Sequence, residues 1–218
     1  MFFSRQMETS AAIEIWCGAS NFVHLIVSKA YHPATNWGMI ILEEDRIVKI
    51  PYDCIEEKIE IRGGEVQIFI GKNPKLNLEV ILSGQGASLN LQGVFFGKNK
   101  AAQDLKLLVI QRAPQTTARV NFRAALNDSS FSIFDCLIRM EKEAVDSIGM
   151  LSYKALLLSS GARSRPTPKL EVLTKKVAAA SHAASVGKIE ENQLFYLQSR
   201  GISLTEAKKL IVEGFLKI

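Results

Sequence analysis

Residues 177–215 decide the fold: they read VAAASHAASVGKIE (177–190) and then ENQLFYLQSRGISLTEAKKLIVEGF (191–215). The first part is a run of small residues around His182, and we interpret it as a strand. A helix is predicted from about Glu190 to Ser199, and Gly201 suits the position just past its C-terminal end. Ser203-Leu-Thr-Glu206 is a capping box that opens a second helix. The residues expected on one face of that helix are Ala207, Leu210, Ile211, Gly214 and Phe215.

Upstream of this stretch, from about Ala11 to Gly187, the chain reads as short alternating segments bounded by Gly, Asn, Asp and Pro. Gly161–Pro168, which contains two prolines, is interpreted as a loop between the strand-like segments Ala155–Leu158 and Leu170–Leu173. No helix-length periodic segment interrupts the series, which argues against a Rossmann-type domain. The pattern alone leaves a sandwich, a barrel and a β-solenoid open.

The C-terminal stretch is similar to the signature of the SufB/SufD family, whose members help to assemble iron–sulfur clusters. That signature runs roughly Ser-His-Gly-Ala-Thr-Val-Gly, Ile-Asp, Gln-Leu-Phe-Tyr-Leu, Ser-Arg-Gly-Ile, Ala, Ile, Gly-Phe. Several of its sub-motifs match this chain between Ser181 and Phe215, in the same order and with nearly the expected gaps. Val109–Arg119, Asp128–Ile138 and Pro168–Val172 also resemble family strands, so the similarity extends from about Leu105 to the C-terminus.

The resemblance implies a mainly β fold, a β-helix (β-solenoid) core with a small C-terminal α-helical cap. We expect the core to span residues 1–188 and the helical segment residues 189–218. The chain looks like a short SufD-like homologue that lacks the helical N-terminal domain of usual members. A solenoid exposes apolar surface at its last coil, so we expect the helices to cover that coil. The alternative is that they form a docking surface for a partner. The residues concerned are Phe195, Tyr196, Leu210 and Phe215.

Several positions depart from the family pattern. Where SufD-type members carry Cys two residues before the motif His, this chain has Ala180, and where SufB-type members carry Glu after the His, it has Ala183. A SufB-type Cys corresponds to about Tyr153, the family's upstream His to Gln111, and a strand Gly to Cys136. Because thiolates are the usual cluster ligands, most of the implied binding site is lost.

His182 is the candidate metal ligand that the resemblance leaves. Cys136 is interpreted as a buried apolar residue of a strand, with a ligand role as the alternative. A neutral imidazole can ligate iron, but a single imidazole holds no cluster, so a partner chain would have to supply the other ligands at a shared interface. A packed interior or interface histidine is the alternative reading, and a catalytic base is a third. We therefore expect no cofactor bound by this chain alone, with a transient iron–sulfur cluster shared with a partner left open.

The resemblance implies a non-catalytic scaffold subunit of iron–sulfur cluster assembly. The chain has no Gly-x-x-x-x-Gly-Lys-Ser/Thr phosphate loop, so ATP hydrolysis would belong to a SufC-like ABC-type ATPase. We expect that partner to dock on the C-terminal helices. A SufB-like protein or a second copy is expected to pair through the β-helix. The candidate docking residues are Phe195, Tyr196, Arg200, Gly201 and Ile202.

Two other functions compete with this one. A β-solenoid that binds a polyanion or polysaccharide would need aligned basic residues, and the candidates are Arg119, Arg123, Arg139, Arg163, Arg165 and Lys175. A hydrolase using Ser181 or Ser185 with His182 is disfavoured, because adjacent strand residues point to opposite faces and no Gly-x-Ser-x-Gly elbow occurs.

Composition and charge limit the partners, the cellular location and the metal sites that we expect for this chain. The 218-residue chain has a net charge of +5, which permits an acidic partner without requiring nucleic acid. No run approaches the roughly 20 apolar residues of a membrane span, and the N-terminus does not read as a signal peptide, so we expect a cytoplasmic protein. Cys17, Cys54 and Cys136 are widely spaced, which disfavours a structural zinc site.

Overall fold

The computed structural model describes residues 13–17, 23–27, 39–50, 56–71 and 75–217. Parts of the expected core segment, Cys54 among them, lie outside these residues. Along the described part of the chain, strands come first and two helices last. The strands are β1 (Ile13–Cys17), β2 (Val23–Val27), β3 (Ile40–Leu42), β4 (Arg46–Ile50), β5 (Glu56–Ile61), β6 (Glu65–Ile70), β7 (Lys75–Leu82), β8 (Ser88–Gly97), β9 (Ala102–Gln111), β10 (Thr117–Leu126), β11 (Phe131–Met140), β12 (Ile148–Leu157), β13 (Arg163–Val172) and β14 (Ala179–Lys188). The helices are α1 (Glu191–Ser199) and α2 (Leu204–Leu216).

The strands stack into two sheets that face each other. The eight-stranded sheet has the order β1-β2-β4-β6-β8-β10-β12-β14, and the six-stranded sheet has the order β13-β11-β9-β7-β5-β3. From β3 onward, successive strands alternate between the sheets, and every neighbouring pair of described strands except β1–β2 is parallel. This is a parallel β-solenoid, which confirms the expected β-helix with two C-terminal helices.

Alternation along each strand builds the core. In β8 and β11 every second residue is buried, because the period of two sends alternate side chains between the sheets. Parallel pairing then places interior residues of successive coils in register, as a column. One column consists of Val48, Ile68, Leu91, Val120 and Leu151, each at most 2% exposed.

Aromatic rings form a second part of the core, with two rings in one column of the eight-stranded sheet and a third from the facing sheet. Phe122 pairs in register with Tyr153, and Phe134 of the six-stranded sheet lies with its ring centroid 5.3 Å from that of Phe122 and 4.7 Å from that of Tyr153. All three rings are buried. Gly93 lies in register with Phe122 on the preceding coil, and a Cβ atom there would stand 2.2 Å from the Phe122 ring. A glycine is therefore required beside the ring.

The interpretation of Gly161–Pro168 as a loop is wrong. Most of that stretch belongs to β13, which pairs with β11 over its whole length. Two prolines fit a strand here because β13 is the terminal strand of its sheet. Proline is tolerated on an edge strand, where its missing N–H removes no ladder bond.

The two helices begin as predicted, but they pack differently. Ser203 and Glu206 form the capping box at the start of α2, as predicted. Val212 of α2 packs beside Ala125 and Leu156, on the outer face of the eight-stranded sheet, and not over the last coil. Leu210, expected on the inward face, is 50% exposed, so that assignment is wrong. Among the described residues, no helix is long and apolar enough to cross a membrane.

Candidate functional site at the last coil and the C-terminal helices

The last coil of the solenoid is formed by β13 and β14, and no described strand stacks beyond it. His182 of β14 lies in register with Leu151, so it continues the aliphatic column that runs from Val48 through the core. Every earlier member of the column is covered by the next coil, whereas His182 is exposed. An imidazole thus occupies the first position of the column that no described strand covers.

Apolar side chains near His182 share its exposure. Val186 faces the same side of β14 as His182 and is 42% exposed, and residues at the turn from β13 to β14 are similarly uncovered. Uncovered apolar groups beside an unpaired strand edge favour association with another chain. The exposed apolar residues of the last coil are Val172, Leu173, Val177 and Val186.

One edge of β14 pairs with no described strand, so its backbone hydrogen-bonding groups lack partners among the described residues. Ile148 of β12 donates its N–H to Thr116 O at 2.8 Å, so the even-numbered residues of β12 face β10 and the odd-numbered ones face β14. Ala179 donates its N–H to Ser147 O at 3.4 Å, which places the odd-numbered residues of β14 toward β12 and the even-numbered residues away from it. The N–H and C=O groups at the free edge therefore belong to Ala180, His182, Ala184, Val186 and Lys188.

The free edge of β13 is interrupted. Arg163 donates its N–H to Ser130 O at 3.0 Å, and Leu173 donates to Met140 O at 2.9 Å, so the odd-numbered residues of β13 face β11. The even-numbered positions 166 and 168, whose N–H groups would face the free edge, are both proline, which has no N–H. A further strand can pair continuously with β14 but not with β13.

The C-terminal helices bring the five predicted docking residues together around one turn. On α1, Phe195 is 74% exposed and Tyr196 58% exposed, so the expectation that they pack over the last coil is wrong. The Arg200 guanidinium lies 5.5 Å from the centroid of the Tyr196 ring, within cation–π range. Gly201 takes a φ of +82° at the turn, and Ile202 follows it, half-buried.

An open, mostly apolar groove of about 460 Å³ lies between the two helices. Tyr196 and Leu197 line it from α1, and Ile211 lines it from α2. α1 itself contains no buried residue. We call this groove, with the Tyr196 ring that lines it and the neighbouring exposed ring of Phe195, the helical docking surface.

Three other positions that depart from the family pattern, Cys136, Tyr153 and Gln111, hold buried core residues here. Cys136 is fully buried, and burial, together with the neighbouring Asp135 charge, raises the pKa of its thiol, so it stays protonated and cannot serve as a thiolate ligand. The Tyr153 hydroxyl lies 3.2 Å from Ser132 Oγ and 2.7 Å from Ser164 Oγ, and burial raises its pKa.

Gln111, at the position of the family's upstream histidine, is also structural. Its side-chain amide donates to the carbonyl oxygens of Thr116 and Ile148 at 3.1 and 3.0 Å. In the part of the chain that the structure describes, no group of three or more His, Cys, Asp and Glu residues is placed to hold a metal ion. His182 thus belongs to no ligand cluster formed by those residues alone.

The predicted alignment of basic residues is wrong. Two of the six lie on the eight-stranded sheet, three lie on the six-stranded sheet, and one follows β13 outside any strand. One of them is also paired with Glu171, Nε to Oε2 at 2.6 Å. Because the residues are split between opposite faces, they form no single polyanion track. The six are, in that order, Arg119, Arg123, Arg139 (the partner of Glu171), Arg163, Arg165 and Lys175.

The hydrolase arrangement fails on the geometric ground that disfavoured it. Ser181 lies in register with the exposed Met150, and His182 with the buried Leu151. The two side chains therefore point to opposite faces of β14. Ser185, three residues from His182, also falls on the opposite face.

Residues 55–215 match the family model described as "SUF system FeS cluster assembly, SufBD core domain". The chain belongs to the SufB/SufD family. Its curated relatives include an iron–sulfur cluster assembly SufBD family protein of Mycobacterium leprae, 31% identical over 162 residues, and one of Staphylococcus saprophyticus, 29% identical over 137 residues. These alignments cover 70% and 63% of this chain but only 39% and 29% of the relatives, so the chain spans less than half of their length. The match concerns the SufBD core and links this chain to iron–sulfur cluster assembly.

Sequence reasoning missed two features of this SufBD core. The first is the contrast between the two free edges, which the spacing of Pro166 and Pro168 within a strand-like segment could have revealed. The second is Arg123, which contacts the end of α2 from β10. No sequence signal links two segments so far apart in the chain.

Proposed function

We propose that this chain is a non-catalytic scaffold subunit of iron–sulfur cluster assembly. In this proposal it pairs with a SufB-like chain or a second copy through β14, and it docks a SufC-like ABC-type ATPase on the helical docking surface. The observation that carries the pairing is the open last coil, where His182 ends an otherwise buried column beside the unpaired edge of β14.

Pairing at this edge would have three consequences. The even-numbered N–H and C=O groups of β14 would gain partners, and the exposed valines of the last coil would lose contact with water. His182 would become an interface residue. A cluster in transit, which is cargo and not a resident cofactor, would then find the imidazole beside ligands supplied by the partner.

The helical docking surface supports the second contact. Aromatic residues are enriched where proteins bind each other. Here the exposed ring of Tyr196 lines an apolar groove, and the ring of its neighbour Phe195 is also exposed. The class of partner comes from the family resemblance, which implies an ABC-type ATPase. The sequence of this chain contains no phosphate loop, so another chain would have to hydrolyse ATP.

Co-expression with the SufB-like protein and the ABC-type ATPase of the same organism tests the proposal. Size-exclusion chromatography with light scattering, run anoxically, is expected to give a complex that contains this chain. The double variant Phe195→Ala/Tyr196→Ala should lose the ATPase and keep the like-chain pair, whereas Gln198→Ala, exposed on the same helix, should keep both. A wild-type chain that elutes alone in the presence of both proteins would refute the scaffold role.

A further inference from the structure

A single arginine ties the solenoid to the end of the helical segment. Arg123 of β10 donates from Nη1 to two backbone carbonyl oxygens, that of Phe215 at 2.8 Å and that of Lys217 at 2.7 Å. Both carbonyls lie at the C-terminal end of α2, where a helix leaves its last carbonyl groups without intrahelical partners. The bonds are thus charge-assisted contacts to groups that need a donor.

The electrostatics of this contact are favourable. The C-terminal end of a helix carries a partial negative charge, which a cation stabilises. Among the described residues, no acidic side chain forms an ion pair with Arg123. Its neighbours in register are Val94 and Lys154, so the helix end is the negative group that the guanidinium meets.

The packing of the helices against the solenoid buries few of their residues completely. α2 buries only Ala207 and Val212 among its described residues, and α1 buries none. Val212 belongs to a small apolar cluster with Ala125 and Leu156, flanked by side chains that are only partly buried. This cluster and the Arg123 contact both lie at the C-terminal end of α2, where Arg123 adds directional hydrogen bonds that join the helix to β10, a strand inside the eight-stranded sheet.

We propose that Arg123 is a positioning residue, which orients α1 and α2 so that the helical docking surface is presented to its partner. The docking part of this inference rests on the proposed function; the anchoring of α2 does not. Arg123 lies on the solenoid and not on the helices, so its effect on docking would be transmitted through α2.

The test compares Arg123→Met, Arg123→Lys and the matched control Arg119→Met. Arg119 lies on the same face of β10, exposed, in register with Asn90 and Met150. Amide hydrogen exchange of the full chain measures how firmly α2 is anchored. We expect the α2 amides of Arg123→Met to exchange about tenfold faster or more, given the usual strength of hydrogen bonds to a charged group. Exchange in β8–β12 should stay unchanged, Arg123→Lys should be intermediate, and Arg119→Met should match the wild type.

The affinity for the ABC-type ATPase measures whether the helices are correctly oriented for docking. If only about a tenth of the Arg123→Met molecules hold the helices correctly, the apparent Kd rises about tenfold, with partial rescue in Arg123→Lys. Unchanged α2 exchange in Arg123→Met would overturn the anchoring, and faster exchange with unchanged affinity would overturn the positioning role. A wild-type chain that does not bind the ATPase would refute docking itself, while the exchange data still decide whether Arg123 anchors α2.

Discussion

His182 lies in register with Leu151, yet Leu151 is 2% exposed and His182 is exposed. The two residues occupy equivalent positions on successive coils of one interior column. They differ in exposure because a further coil covers Leu151 and no described coil covers His182. The imidazole is therefore displayed by the end of the solenoid and is not held in a pocket of its own.

Substitutions at these two positions should differ sharply in cost. Leu151→Ala is expected to lower the free energy of unfolding by about 2–5 kcal/mol, because it opens a cavity in the core. His182→Ala should change it by less than about 0.5 kcal/mol, since the side chain is solvated. Urea denaturation of the isolated protein at low concentration measures both. A large cost for His182→Ala that grows with protein concentration would instead place the residue in an interface between copies.

Proline substitutions on β14 should separate pairing from folding. The N–H of Ala184 faces the free edge, so Ala184→Pro should leave the chain folded and prevent like-chain pairing. The N–H of Ser185 faces β12, so Ser185→Pro should remove a ladder bond and destabilise the fold itself, by about 1–3 kcal/mol, because the carbonyl on β12 loses its donor.

Light scattering and thermal unfolding of the two proline variants give the readout. Pairing that survives Ala184→Pro would show that the like chain binds elsewhere. Equal thermal stability of the two variants would contradict the assigned direction of the backbone groups.

The β-solenoid could be expected from the sequence only through a family resemblance, and the structure explains why periodicity was insufficient. Glu65 pairs with Ser88, Ser88 with Thr117 and Thr117 with Ile148. The coils therefore differ in length, and no fixed repeat is visible in the sequence. The capping box that opens α2 was predictable, because its determinants lie within one helical turn.

The errors arose where tertiary position overrides local signals. Pro166 and Pro168 suggested a loop, but a terminal strand has no ladder on one side for them to break. Leu210 was expected to pack, but Val212 packs in its place. The side of α2 that packs is set by Ala125 and Leu156 of the distant strands β10 and β12. Amphipathic spacing within α2 correctly predicted that Ala207, Ile211 and Phe215 pack, but it did not identify Val212.

Gly93 should tolerate no side chain. A Cβ at this position would stand 2.2 Å from Phe122 Cδ2 and 2.3 Å from Cε2, and the ring is held by Phe134 and Tyr153. We expect Gly93→Ala to lower the free energy of unfolding by about 1–3 kcal/mol through overpacking. Gly187→Ala, with no atom within 4 Å of its added Cβ, is the matched control and should change it by less than about 0.5 kcal/mol. Equal urea midpoints would mean that the ring column relaxes around the methyl group.

The capping box should make α2 sensitive to acid. The Ser203 hydroxyl and backbone N–H donate to the Glu206 carboxylate at 2.8 and 3.3 Å, and these bonds, the side-chain bond first, lower the pKa of that carboxyl below its ordinary value of 4.5. A carboxyl with a depressed folded pKa stabilises the fold above its unfolded pKa, and that contribution disappears as the pH falls through the folded value. We therefore expect α2 to lose protection from hydrogen exchange, after correction for intrinsic rates, as the pH falls below about 4.5. Glu206→Gln should flatten this dependence, because its amide does not titrate, whereas Glu191→Gln on α1 should leave it intact. An α2 protection profile with the same pH dependence in Glu206→Gln and the wild type would assign the acid sensitivity to another group.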